Sequence, residues 1–345
     1  MSIELFCKVV DNYGDAGVCG RLTRQLASEY PWPVRLWIDK PDVLAQLRIA
    51  LPASVRIERW DDATQFILPP DFGNIIIEDF ACGTPPEVIA HMKAQAAKPL
   101  WINLEYLGLE DWVDGAHLLP STHPATGLVQ HFFIPGFTPK SGGLIREQGL
   151  YAQRDAYVAS QHDHESLRVS LFCYPHAPVE PLLEALKAHH QPVELWLPEK
   201  SLPDLRDSGS LTLRRYPFLP QAGFDELLWR CDLNLIRGED SFVRAHWAAK
   251  PLIWQAYPQA EGAHMDKIRG FLSHYTPGLG TEDAEMLALV HEVWNLSRPD
   301  AGEVWPHLLD RLPALTRHAQ QRATDLAKQP DLANQLAGWI ERQRI

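Results

Sequence analysis

Residues 233–254 read LNLIRGEDSFVRAHWAAKPLIW, and the hydrophobic pattern changes period twice within them. Residues 233–236 are a short apolar run of strand length. Apolar residues then recur at helical spacing through 241–249, and a second apolar run follows at 252–254. A strand, a turn, a helix and another strand make the βαβ unit of a parallel sheet covered by helices. The turn itself, Arg237-Gly238-Glu239-Asp240-Ser241, lies where such sheets hold ligands, beyond the carboxyl ends of the strands.

The same alternation extends outward. Strands are expected over 168–173, 193–197 and 211–215, with helices over 179–189 and 223–230. Upstream, strands over 3–10, 34–38, 74–77 and 99–104 alternate with helices over 18–30, 41–50 and 85–97. Between these halves, residues 118–150 are punctuated by Pro120, Pro124, Pro135, Gly136, Gly142 and Gly143 and read as long loops. The last third is helical and ends in a helix over 332–344. The fold expected is α/β: two Rossmann-like doubly wound domains facing each other across a cleft, at 1–154 and 155–330, with a C-terminal helix in 331–345.

Composition narrows the function. At roughly 150 residues per domain, 345 residues suggest two domains. A chain that is 46% hydrophobic and 22% charged is globular. The net charge of −12, from 32 basic against 44 acidic residues, comes with no basic run, which argues against nucleic acid and against an anionic membrane surface. Cys7, Cys19, Cys82, Cys173 and Cys231 are an odd number without a C-x-x-C pair, so reduced cytoplasmic thiols are expected. The fifteen histidines show no helical H-x-x-x-H spacing, and neither a metal nor any other cofactor is expected. No signal peptide and no membrane span is discernible. G-x-x-x-x-G-K-[ST] and G-x-S-x-G are absent, which removes a P-loop and an α/β-hydrolase elbow.

Three strand-to-helix turns carry candidate chemistry. In the first, residues 11–17, Asp11 and Asp15 place two carboxylates at the mouth of a sheet, while Gly14 and Gly17 permit tight backbone beside Tyr13. Such a loop suits acid–base work or a cationic partner. The alternative is that Asp15 only caps the helix. In the second, Asp240 and Ser241 open a helix whose free amides and dipole favour phosphate, and Arg237 offers a charged fork. Glu239 is unfavourable there unless it points at sugar hydroxyls or a cation, and capping alone again explains the residue types. In the third, Tyr216-Pro217-Phe218-Leu219-Pro220-Gln221, an aromatic ring and an amide suit a base stacked on one and bonded at its edge by the other. A core role for Phe218 is the competing reading. Phe172, Tyr174 and Tyr257 also fall just past strand ends, as one nucleotide site requires.

Several segments together resemble a known family. The loop DNYGDAGVCGRLTRQLA (residues 11–27), WINLEYL (101–107), FFIPGFTPKSGGLIRE (132–147), YPFLPQ (216–221) and RGEDSFVRA (237–245) are similar to bacterial protein-arginine rhamnosyltransferases that act on translation elongation factor P. The resemblance runs over nearly the whole chain and departs from the family pattern at Tyr13, usually Phe, and at Gly20, usually a large aromatic. It implies a GT-B fold whose final helix crosses back to the first domain. It also implies transfer of L-rhamnose from dTDP-β-L-rhamnose to an arginine, with inversion. By the same resemblance Asp15 is the general base, Asp11 its acidic neighbour, and Glu239 an essential carboxylate beside Asp240 and Ser241 at the diphosphate. Phe218 stacks on thymine, Gln221 meets the base edge, and Phe172, Tyr174, Tyr257 and Arg237 complete the donor pocket. Two other readings use the same residues: a GT-B enzyme with another sugar nucleotide or acceptor, and a non-catalytic protein that grips an arginine-bearing loop.

Overall fold

The computed structural model describes residues 1–10, 13–61, 65–162, 164–259, 262–298 and 302–343. The chain divides into two compact units, Met1–Gln148 with Gln329–Ile345, and Gly149–Lys328. The first opens with β1 (Ile3–Cys7), α1 (Gly14–Glu29), β2 (Val34–Ile38), α2 (Pro41–Leu47) and β3 (Arg56–Arg59). It continues with β4 (Ile75–Asp79), α3 (Pro86–Ala94), β5 (Leu100–Leu104), α4 (Val113–Ala116), β6 (Pro120–Thr122) and β7 (Val129–Phe133). The second holds α5 (Leu150–Ser160), β8 (Leu167–Leu171), α6 (Val179–Lys187), β9 (Val193–Pro198), β10 (Leu211–Tyr216) and α7 (Gln221–Arg230). Next come β11 (Leu233–Arg237), α8 (Asp240–Trp247), β12 (Leu252–Gln255) and the helices α9 (His264–Tyr275), α10 (Thr281–Asn295), α11 (Val304–Asp310) and α12 (Leu312–Ala327). The last helix, α13 (Leu332–Arg342), belongs to the first unit.

The first unit's sheet runs β3-β2-β1-β4-β5-β7-β6, parallel except for the β6–β7 pair, and the second's runs β10-β9-β8-β11-β12, parallel throughout. In each, the strand order reverses beside the unit's first strand, between β1 and β4 and between β8 and β11. Those reversals are the crevices where doubly wound sheets bind ligands.

Local chemistry explains the departures from expectation. Residues 118–150 are not all loop: β6 and β7 lie there. Proline at the first position of β6 is tolerated because that strand sits at the sheet edge. The fully exposed β3 is the opposite edge, and with no apolar alternation it gave no signal. β4 extends past the isoleucines to take in Glu78 and Asp79, both buried. The first break falls after Gln148, ahead of the expected 154/155 boundary, because α5 packs on α7 of the second unit, with Tyr157 edge-on to Trp229.

Packing fixes the helices that carry the site. On α1, Leu22 and Leu26 share a core with Leu332, Leu336 and Ile340 of α13. Each such side chain, fully buried, is worth about 1.5–3 kcal/mol. Asp331 caps α13 by accepting from the Asn334 amide at 3.0 Å, and also accepts from Gln25 Nε2 of α1 at 2.9 Å. At Gly20 an added Cβ would lie 2.4 Å from Ile49 Cδ1 and 2.7 Å from Leu44 Cδ1. Here those aliphatic groups fill the space, so the missing aromatic leaves no void. In the second unit, Phe242 stacks on Trp254 at 4.1 Å and meets Phe271 edge-on at 4.9 Å, which joins α8, β12 and α9. Among the described residues no helix is long and apolar enough to cross a membrane.

Candidate functional site

At the β1/β4 reversal the loop leaving β1 feeds α1. The helix starts at Gly14 and its N-cap is Tyr13, whose side chain makes no capping bond and instead donates from its hydroxyl to Gln46 Oε1 at 2.7 Å. Asp15 is therefore not the cap. It sits in the first turn, 2% exposed, and its Oδ2 accepts from the Val10 amide at 2.8 Å, which ties the helix start back to the chain just leaving β1. Gly17 is buried in the same turn, its amide donating to the Tyr13 carbonyl at 2.9 Å. Asp11 lies outside the described residues.

Beneath this turn lies a cluster that sequence reasoning missed. Cys7 ends β1, Cys19 lies one helical turn beyond Asp15, and Asp79 ends β4; all three are buried, with their ligating atoms within 4.8 Å of one another. The Cys19 thiol donates to Asp79 Oδ2, while Asp79 Oδ1 is buried without a hydrogen-bond partner. Burial pushes the Asp79 carboxyl well above the usual carboxylate range, and the charges of Asp15 and Glu105 push it further, against the opposing bond from Cys19. Burial likewise raises the Cys19 thiol. Cys7, Cys19 and Asp79 have the donor types that hold a soft metal, and a metal bound there would have to displace the protons that burial favours on Cys19 and Asp79. Past Asp79 the backbone is strained: Phe80 and Ala81 both adopt left-handed conformations, with φ of 54° and 50°. The pair is held by bonds from the Phe80 amide to the Leu104 carbonyl at 2.7 Å and from the Ala81 amide to Asn103 Oδ1 at 3.0 Å. Phe80 stacks on half-exposed Tyr106 at 4.1 Å. Strain of this kind persists where neighbours over-determine it, commonly at functional sites.

At the β8/β11 reversal the candidate donor residues gather. Phe172 and Tyr174 follow β8, and the Arg237 guanidinium at the end of β11 lies 4.6 Å from each ring centre. Tyr257, 61% exposed after β12, meets Tyr174 edge-on at 5.8 Å. Gly238 turns the chain at φ +72°, a conformation costly for other residues, and its carbonyl accepts from Trp254 Nε1 at 2.8 Å. α8 then begins at Asp240 with Glu239 as N-cap, so Asp240 and Ser241 occupy the first turn instead of capping it. Glu239 makes no capping bond; its Oε1 accepts from Lys267 Nζ of α9 at 2.7 Å. The carboxylate that looked unfavourable in sequence thus points at a cation, and Lys267 was not anticipated.

Phe218 and Gln221 stand on the turn between β10 and α7. Phe218 is 53% exposed and is not a core residue. Gln221 begins α7, only 7% exposed, and neither its Oε1 nor its Nε2 has a hydrogen-bond partner. A buried amide with both ends unmet costs the fold the desolvation of two polar groups. A ligand edge that met them would recover that cost.

Comparison with known proteins accords with this architecture. Residues 3–341 match the family model of the elongation-factor P (EF-P) rhamnosyltransferase EarP. A protein-arginine rhamnosyltransferase of Pseudomonas putida is 40% identical, over 96% of this chain and 97% of that protein. A solved structure describing EarP-mediated arginine glycosylation of elongation factor EF-P superposes with a TM-score of 0.65 and 28% identity, over 99% of each chain. The glycosyltransferase SsfS6 of Streptomyces sp. SF2575 shares the fold alone, with a TM-score of 0.52 and 11% identity over 99% of each chain. Two parallel sheets with these neighbours make the fold GT-B, and the protein is a glycosyltransferase that belongs to the EF-P rhamnosyltransferase family EarP.

Proposed function

We propose that this enzyme transfers L-rhamnose from dTDP-β-L-rhamnose to an arginine side chain of translation elongation factor P, inverting the anomeric centre and using neither metal nor other cofactor. One observation carries the reading: the relatives matched over nearly the whole chain are protein-arginine rhamnosyltransferases. Five free cysteines suit a reducing compartment, which supports a cytoplasmic enzyme and acceptor.

The chemistry explains why these residue types serve. A guanidinium is protonated at any physiological pH and is a poor nucleophile in that form. A carboxylate pairs with the cation, orients one nitrogen and takes its proton as the C–N bond forms. Asp15 is that base, anchored through Val10, and Asp11 its neighbour. As the nitrogen bonds to the anomeric carbon, the bond to the diphosphate oxygen breaks on the opposite face, dTDP departs and Asp15 keeps the proton. The amides opening α8 at Asp240 and Ser241, together with Arg237, bear the leaving charge. Phe218 stacks on thymine, Gln221 bonds to its edge, Phe172, Tyr174 and Tyr257 enclose the nucleoside, and Glu239 meets the sugar hydroxyls.

The test is incubation of the purified protein with elongation factor P and dTDP-rhamnose, followed by mass spectrometry. One deoxyhexosyl unit on a single arginine is expected. An unmodified acceptor, with dTDP-rhamnose intact, overturns the reading. Calorimetric titration with dTDP, UDP and GDP tests the donor separately.

A further inference from the structure

We infer that Lys267 is a positioning residue of the donor site: its ammonium neutralises and aims Glu239, so that a carboxylate can stand at the start of α8 without repelling a nucleotide diphosphate. This rests on the reading of the β8/β11 reversal as the sugar-nucleotide site. The geometry is fixed by the core and does not depend on a chance meeting of surface charges. Phe271, four residues beyond Lys267, lies on the same face of α9. Phe242, three residues beyond Glu239, lies on the same side of α8. The two rings meet edge-on at 4.9 Å, both fully buried, and Phe242 is stacked on Trp254. One turn toward the ligand end from that contact, Lys267 Nζ reaches Glu239 Oε1 at 2.7 Å, both side chains about three-quarters buried. Trp254 also binds the carbonyl of Gly238, the residue before Glu239, so the turn, the helix start and α9 are tied to one cluster.

Charge explains the need. A helix N-terminus and Arg237 attract a diphosphate, whereas Glu239 in the adjoining turn opposes it. Pairing Glu239 with Lys267 offsets the repulsion. Lys267 acts through Glu239, and this separates it from an ordinary phosphate ligand.

The experiment is isothermal titration of the whole protein with dTDP and with thymidine, for the parent, K267M, K267R, E239Q and the E239Q/K267M double variant. K267M is expected to weaken dTDP about tenfold, equivalent to about 1.4 kcal/mol, and to leave thymidine within about twofold. K267R retains dTDP affinity within about threefold. In the E239Q background the further K267M change alters dTDP affinity by less than about twofold, because the charge to be neutralised is gone. An equal loss in both backgrounds makes Lys267 an independent phosphate ligand and overturns the inference. So does unchanged dTDP affinity in K267M, or a parallel loss of thymidine, which marks a purely structural pair. If the parent binds UDP in place of dTDP, the same series runs with UDP and uridine. Failure of every diphosphate to bind the parent overturns the donor reading and this inference together.

Discussion

The two strand-order reversals share a topology and differ in chemistry. At β1/β4 the carboxylates Asp15 and Asp79 are buried among thiols and held by backbone and sulfhydryl donors. At β8/β11 the carboxylate Glu239 is about three-quarters buried and held by an ammonium, beside a guanidinium that lies over two aromatic rings. The fold determines where a ligand can sit, and the side chains at each turn determine what it can be. On the proposed reading, the buried acidic turn receives a cation and a proton. The turn with paired charge, a helix start and aromatic faces receives, on the same reading, the nucleotide.

The sharpest way to break this division is Asp15→Asn. If the β1/β4 turn supplies the base, transfer to elongation factor P falls by about 10²- to 10⁴-fold, while dTDP affinity measured by calorimetry is unchanged. A loss of dTDP affinity that matches the loss of turnover assigns Asp15 to nucleotide binding and erases the distinction between the reversals. On the other side, Phe218→Ala removes the exposed ring beside α7. Base stacking on an aromatic is worth about 1–3 kcal/mol, so dTDP affinity falls roughly 5- to 150-fold with little change in the chemical step at saturating donor. Unchanged affinity refutes the stacking role.

How much of this was legible in sequence follows the range of the contacts. Asp15 with Gly14 and Gly17, and Glu239 with Asp240 and Ser241, are local strand–turn–helix features, and both turns were found where they lie. The residues that favour capping there lie a residue or two inside the observed helix starts, since a helix start depends on backbone geometry that residue preference only biases. Asp79 and Lys267 were missed for a different reason. Cys19 and Asp79 are 60 residues apart, and Glu239 and Lys267 are 28 apart. The packing of α1 on the paired β1 and β4 in one case, and the Phe242–Phe271 contact in the other, brings them together. The hint for Asp79 lies in IIIED, a buried run ending in two acids, but acids are depleted in strands, so the apolar pattern ends the expected strand at Ile77.

Gln221 sharpens the comparison at a smaller scale, because its cost and its use are separable. Gln221→Met keeps the volume and removes two unmet buried polar atoms. The ligand-free protein should become more stable by about 1 kcal/mol, and dTDP should bind about tenfold more weakly. Opposite signs on stability and affinity are the mark of a group held ready for a ligand. If both fall, the amide is a structural member of the second unit.

The smallest effect concerns the acid beneath Asp15. A carboxyl whose native pKa lies above its unfolded value favours the fold at low pH, and its stabilisation is lost as pH rises from the unfolded value, about 3.9, through the native one. Asp79, raised chiefly by burial, therefore costs the first unit stability at neutral pH, at about 1.4 kcal/mol for each pH unit between its native and unfolded pKa values. Asp79→Asn removes the titration and keeps an oxygen for the Cys19 thiol. The gain in urea midpoint over the parent is expected to be clear at pH 7 and to shrink toward pH 4. His246 and His291 in the second unit, lowered by burial to about 4, act with the opposite sign: their stabilisation is present above about pH 6.5 and is lost as pH falls toward 4. Parent and variant share those histidines, so their contribution cancels in the difference, and what remains reports on Asp79 and its coupling to Asp15 and Glu105. A difference that does not change with pH means that Asp79 titrates alike in the folded and unfolded chain, and its burial then carries no electrostatic consequence for Asp15.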